Sequence, residues 1–226
     1  MARAPAASDC TCTLRFESQA LRRGYRLVAG CDEAGRGALL GPLYAAAVIL
    51  DPEKPIPGVN DSKKLTPAER AEFAVEIRAK AIAFQVVGVT TRDVDELNVY
   101  QASRRAMIQA LYGLCPAPDF VLTDAMPLSA PSDLTKFPIP HRAIVHGDAR
   151  SASIAAASIL AKVERDARMV ELDRLYPQYL LAKNKGYGTP EHLAALALHG
   201  PCPEHRQTFQ PVKDYLLPLF PFAGSP

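Results

Sequence analysis

The sequence predicts an α/β fold: a mixed sheet of about five strands flanked by helices, followed by a helical C-terminal extension. Three observations carry this expectation. Short apolar runs of strand length alternate with longer helical patterns up to about residue 175. The first two runs are joined by about ten residues, enough for an antiparallel pair but too few for a helical crossover. After residue 176 the chain offers helix signals and no strand run.

Each element follows from its residues. The first strand spans residues 25–32 (YRLVAGCD) and ends in two adjacent acids, Asp32 and Glu33. A loop with Gly35, Gly37 and Gly41 around Arg36 leads to a second apolar strand over 44–50, closed by Asp51-Pro52. Residues 55–66 form a polar exposed loop holding Asn60-Asp-Ser-Lys-Lys64. Thr66-Pro67-Ala-Glu69 starts a helix, with an N-cap, proline at N1 and an acid in the first turn, and Phe73, Ile77 and Ala81 share one face. Residues 84–89 are the third strand, and Asp93 is read as the cap of one long helix to about Leu114. Residues 120–123 are a buried strand ending in Asp124. A proline-spaced excursion over 127–142 follows, then a short strand over 143–145 ending in Gly147-Asp148. Residues 151–175 are helical, Ala-rich and then charged. Thr189-Pro190-Glu191 opens a last helix that Gly200 closes. The first three strands are expected to be antiparallel and the last two parallel. In domain terms, residues 1–17 are a flexible arm, 18–175 the main domain and 176–226 the extension.

Composition bounds the function classes. The 226 residues carry a net charge of +2 and 48% hydrophobic residues, ordinary for a globular chain. No run of 18 apolar residues is present, and the N-terminus has no apolar signal core, so the expectation is a cytoplasmic protein away from membranes. Five cysteines in no ligand spacing, an odd number, argue for free thiols.

The chemistry lies in the acids. Asp32 with Glu33, Asp124 and Asp148 each close a strand, and strand ends on one edge of an α/β sheet converge at the functional crevice. Oxygen ligands without histidine or cysteine suit Mg²⁺ or Mn²⁺. Neighbouring strand residues point to opposite faces, so Asp32 and Glu33 cannot both aim at one ion from a regular strand. Either the strand bends at 32 or Glu33 offers its backbone carbonyl, and Asp32 is read as the central ligand. The loop Gly35-Arg36-Gly37 lets backbone amides approach a sugar or phosphate, with Arg36 adding a planar cation. A dinucleotide-binding loop of an oxidoreductase competes for these glycines. It is disfavoured because two anions stand where a pyrophosphate would sit and no helix follows. Basic side chains lie at Lys63, Lys64, Arg150, Lys162, Arg165, Lys183 and Lys185, most of which a solvated face explains. Tyr187, held between Gly186 and Gly188, is placed where a sugar or base can stack.

These segments resemble bacterial ribonuclease HII. The resemblance is carried by Gly30-Cys-Asp-Glu-Ala-Gly-Arg-Gly37 with Gly41-Pro42, Asn60-Asp-Ser-Lys-Lys-Leu65, Asp124, and Gly147-Asp148-Ala-Arg-Ser. Further segments are Ala155-Ala-Ala-Ser-Ile-Leu-Ala-Lys-Val-Glu-Arg-Asp166, Lys185-Gly-Tyr-Gly-Thr189 and His205-Arg-Gln-Thr-Phe-Gln-Pro211. It implies a ribonuclease H-like fold and an endonuclease that cleaves the RNA strand of RNA–DNA hybrids and single ribonucleotides embedded in duplex DNA. Two Mg²⁺ or Mn²⁺ ions would serve catalysis, leaving 5′-phosphate and 3′-hydroxyl ends, in a monomer serving primer removal and ribonucleotide excision. By position, Asp32, Glu33, Asp124 and Asp148 are the four catalytic, metal-holding acids. Gly35, Arg36 and Gly37 resemble the loop that reads the 2′-hydroxyl, and Tyr187 the tyrosine packing on the deoxyribose beyond the junction. Ser62, Lys63, Arg150 and Lys162 complete the substrate-binding set. Ala125 departs from the family's usual glycine, and His146 from its common lysine. A non-catalytic nucleic-acid binder is the rival reading, and four acids in a phosphate cleft oppose it unless metals sit there.

Overall fold

The computed structural model describes residues 12–129 and 137–216. Most of the N-terminal arm and residues 130–136 of the proline-spaced excursion lie outside the described residues. The described chain runs α1 (Arg15–Arg22), β1 (Val28–Ala34), β2 (Leu43–Ile49), α2 (Pro67–Lys80), β3 (Ala83–Val89), α3 (Thr91–Leu97) and α4 (Val99–Tyr112). It continues through β4 (Phe120–Asp124), β5 (His141–Ile144), α5 (Ala152–Leu175), α6 (Leu181–Asn184) and α7 (Pro190–His199), with short 3-10 turns between.

The five strands form one mixed sheet in the order β3-β2-β1-β4-β5. β1 pairs antiparallel with β2 and parallel with β4, and β4 pairs parallel with β5. The short glycine loop explains the first pairing; the helices between β1 and β4 allow the second. β1 is buried on both faces over most of its length, as its apolar run requires.

Several local expectations are realised as the sequence implies. Thr66 and Glu69 form a reciprocal capping box at the start of α2, with Pro67 at N1. Thr189 caps α7 and Gly200 ends it at a φ of 70°.

Others differ. Residues 12–17, expected within the arm, are built into the fold: Thr13 bridges to Ser151, and Phe16 and Glu17 of α1 are buried. The single helix expected from Asp93 is two. Thr90, not Asp93, caps α3 through its hydroxyl. Asn98 then turns the chain at a φ of 66°, and its side-chain oxygen accepts from the Tyr100 and Gln101 amides to start α4. Asparagine tolerates the left-handed region and is a strong N-cap, so one residue ends one helix and begins the next. The last strand ends at Ile144, earlier than expected, and Asp148 sits beyond it in a 3-10 turn over Gly147–Ala149.

The chain separates into two compact units. The first comprises Met1–Ala34, Tyr44–Gly88 and Ser103–Glu164 as far as they are described, and the second Gly35–Leu43, Val89–Ala102 and Arg165–Pro226 likewise. In the first unit, the Ala-rich half of α5 packs on Ala46 and Val48 of β2 and on Ala74 and Ile77 of α2. Gly30 is the point where α5 comes closest to β1: a Cβ there would lie 2.1 Å from the Ser153 carbonyl carbon. In the second unit, Leu40, Met169, Leu172, Tyr179 and Leu181 form one apolar cluster and Leu39, Leu196 and Val212 another.

Candidate active site

The acids of the first unit converge for a reason of register. β1 and β4 are parallel, with Cys31 opposite Thr123, so Asp32 and Asp124 are the next residues on neighbouring strands and share a face. Asp148 joins them from the turn after β5, where the Gly147 amide donates to the Asp124 carboxylate at 2.7 Å. One carboxylate oxygen from each of Asp32, Asp124 and Asp148 falls within 4.8 Å of the others.

Glu33 is not in that group. β1 keeps its ladder through Asp32↔Ala46 and Glu33↔Ala45, so the strand does not bend at 32, and alternation sends the two side chains apart. The Glu33 amide donates to the Asp32 carboxylate at 2.8 Å.

The electrostatics are those of a cluster short of positive charge. Burial, then the neighbouring charges of Glu33 and Asp124, push the Asp32 carboxyl well above the usual aspartate range, against hydrogen bonds from Ser158 and the Glu33 backbone. Asp124 is also raised, by burial and then by Asp148. Lys63 supplies the nearby cation: its ammonium lies 2.7 Å from the Asp148 carboxylate. Burial works against the Lys63 charge, but Asp148, Asp61 and Asp32 outweigh it and hold this amine above its ordinary value.

Of the other residues singled out in the sequence, Ser62 is buried and its hydroxyl bonds that of Ser158 at 3.0 Å. Lys162 lies one turn beyond Ser158 on α5, half-buried. Arg150 is exposed, donates to the Val145 carbonyl and stacks over Phe16. Ser158 was not singled out in the sequence. A serine in an alanine run facing the sheet was its only signal.

In the second unit the glycine loop is braced by two fully buried arginines. Arg206 donates to the Arg36 carbonyl at 2.9 Å and twice to the Gly41 carbonyl. Arg165 donates to the carbonyls of Pro42 and Leu40. Burial and then the like charge of Arg165 lower Arg206 to about 10, so it remains charged at neutral pH. Gly35 has a φ of +92°, and a Cβ there would meet the Arg165 Nε at 1.9 Å, so only glycine fits. Gly37 faces open space and Arg36 is exposed, its guanidinium over the Tyr100 ring. Tyr187 stacks on the Arg165 guanidinium at 5.2 Å and stays partly exposed.

A family model described as Ribonuclease HII matches residues 29–212. The chain belongs to the ribonuclease HII family. It is 47% identical to the ribonuclease HII of Solibacter usitatus over 98% of both chains. Among solved structures it is similar to the ribonuclease H2 of Pyrococcus horikoshii, with a TM-score of 0.68 and 28% identity, covering 84% of this chain and 97% of that one. The ribonuclease HII of Archaeoglobus fulgidus, solved in complex with PCNA, gives a TM-score of 0.67 at 26% identity, covering 82% and 96%. As a member of this family, the protein is an enzyme, an endonuclease that hydrolyses the RNA of RNA–DNA hybrids, on a ribonuclease H fold. Its clustered carboxylates suit a divalent cation: the donors are all oxygen, they converge, and their mutual repulsion calls for a cation.

Proposed function

We propose that this member of the family works by two-metal hydrolysis and also excises single ribonucleotides from duplex DNA. The observation that carries the reading is the convergence of Asp32, Asp124 and Asp148, with Asp32 raised by burial and like charge. These three carboxylates, with Glu33 through its backbone carbonyl, are the groups that would hold Mg²⁺ or Mn²⁺. When bound, such ions would supply activation of the attacking water and stabilisation of the leaving 3′-oxygen, which would leave 5′-phosphate and 3′-hydroxyl ends.

The chain's own residues supply position and charge. Asp32 is the central ligand, fixed by Ser158 and the Glu33 amide. Lys63 balances the charge of Asp148 and is a phosphate contact once the acids are otherwise neutralised. Arg150 and Lys162 add cations for the backbone and Ser62 holds Ser158. Gly35, Arg36 and Gly37 form the loop that reads the 2′-hydroxyl, the group DNA lacks. Gly37 leaves room for backbone to approach a ribose, and Tyr187 packs on the deoxyribose past the junction. Acting on the chromosome, the enzyme serves primer removal and ribonucleotide repair, as a cytoplasmic monomer. Among the described residues, no helix is long and apolar enough to cross a membrane.

The deciding assay uses a duplex with one ribonucleotide, with and without EDTA, for the wild type and Asp32→Asn. Cleavage that EDTA stops and Asp32→Asn abolishes, with hybrid binding retained, supports the reading. Turnover by Asp32→Asn in Mg²⁺ overturns it.

A further inference from the structure

Behind Tyr187, within the second unit, two buried histidines form a chain with a direction. His205 Nδ1 accepts the Cys202 amide at 3.0 Å, so a neutral His205 carries its proton on Nε2. That Nε2 lies 3.2 Å from His192 Nε2, which must then accept, leaving the His192 proton on Nδ1. His192 Nδ1 donates to the Tyr187 carbonyl at 2.9 Å. Every link has one donor and one acceptor only if both rings are neutral and in these two tautomers. A proton added to either ring would set two N–H groups against each other.

The surroundings enforce neutrality. Both side chains are buried, and burial followed by the neighbouring imidazole lowers His205 to about 4. The Tyr179 ring meets both imidazoles edge-on, with centroids 4.8 Å from His205 and 5.9 Å from His192, and also contacts His199. The charged neighbours are engaged elsewhere: Glu204 accepts from the Thr91 hydroxyl, and Arg206 is turned to the glycine-loop carbonyls. Cys202, whose amide starts the chain, has its thiol raised by burial.

We propose that His192 and His205 are positioning residues for substrate selectivity: their directed chain from the Cys202 amide fixes the Tyr187 backbone, and with it the ring that packs at the RNA–DNA junction. The inference rests on the reading of Tyr187 as that junction tyrosine. Such a device acts on substrates that have a junction to recognise. A continuous RNA strand, cleaved without one, is spared.

The test compares three variants on two duplexes, one with a single ribonucleotide and one with a continuous RNA strand. His205→Gln keeps an N–H at the end of the side chain to reach His192. His205→Asn keeps an acceptor for the Cys202 amide but stops short of His192. Tyr187→Ala reports on the tyrosine itself. The expected result is a fall of about 5-fold in the single-to-continuous ratio of kcat/KM for His205→Asn, the size of one net hydrogen bond, with His205→Gln close to wild type. Equal effects of Asn and Gln overturn the inference. So does an unchanged ratio in His205→Asn while Tyr187→Ala lowers it. If Tyr187→Ala leaves the ratio unchanged, the junction reading falls and the inference falls with it. Should His205→Asn fail to fold, ¹⁵N-histidine spectra of the wild-type enzyme decide. At about pH 5.5, where an ordinary imidazole is charged, both rings must be neutral, His192 protonated on Nδ1 and His205 on Nε2. Any other tautomer, or a charged ring, overturns the proposal.

Discussion

The Lys63 ammonium stands 2.7 Å from the Asp148 carboxylate, although 76% of the lysine side chain is exposed and only 4% of the aspartate's. An exposed cation thus partners an almost buried acid belonging to a group of three. Removing the cation leaves the acids to repel one another. Lys63→Ala is therefore expected to gain more from Mn²⁺ than the wild type does, by about 2 °C in Tm, since an exposed ion pair contributes up to about 1 kcal/mol. Thermal unfolding of both proteins with and without Mn²⁺ measures this. Identical metal-induced gains would show that Lys63 does not balance the cluster.

The acid cluster also sets a pH dependence. Asp32 and Asp124 have carboxyl groups raised in the folded protein. A raised group contributes stability while it is protonated and loses it as the pH rises past its folded value. The metal-free enzyme should become less stable on going from the ordinary carboxylate range, about pH 4, towards neutrality. Divalent metal, which displaces those protons, should bind more tightly over the same interval. Calorimetric titration at several pH values, in buffers of different ionisation enthalpy, reads both the affinity and the protons released. An affinity independent of pH counts against the assignment.

Tyr187→Ala should lower cleavage at a single embedded ribonucleotide about tenfold more than cleavage of a continuous RNA strand. Stacking on an aromatic ring is typically worth ~1–3 kcal/mol. Steady-state kinetics on the two duplexes decide, and equal losses would remove the tyrosine from the junction.

Ala125 follows Asp124 at a φ of 49°, in the left-handed region, with its amide donating to Ile144. An L-residue pays about 1 kcal/mol there that glycine does not. Ala125→Gly should raise Tm by about 2–4 °C. No gain, measured by thermal or denaturant unfolding, would mean that the added freedom of glycine in the unfolded chain cancels the relief.

Much of this was legible in the chain. Asp124 ends an apolar run whose shortness and content of Phe, Val and Thr favour a buried strand over a helix. Thr66-Pro67 and Thr189-Pro190 announce their helices because capping is local chemistry. Alternation raised the question of how Asp32 and Glu33 could both serve one ion, and the sequence left open a bend at 32 or the Glu33 backbone carbonyl; the carboxylates that gather are those of Asp32, Asp124 and Asp148. What stayed hidden depends on tertiary partners. Helix α1 reads as polar chain because its anchor, one oxygen of the Glu17 carboxylate, is held by Ser151 and Ser153, more than a hundred residues away. Asn98 carried a readable signal, an asparagine able both to turn and to cap, but apolar periodicity ran across it. The bond from Ser158 to Asp32 and the pairing of His192 with His205 follow only from how elements dock, which no spacing in the sequence records.

The bracing of the glycine loop has a consequence for biosynthesis. Arg36 is held by Arg206, 170 residues later in the chain. At roughly 5–20 residues per second, the ribosome delivers that arginine about 10–30 s after the loop itself. Until then the loop lacks one of its two arginine braces, while all four acids have already been made. A nascent or prematurely ended chain thus carries Asp32, Glu33, Asp124 and Asp148 while its glycine loop still lacks the hydrogen bonds from Arg206.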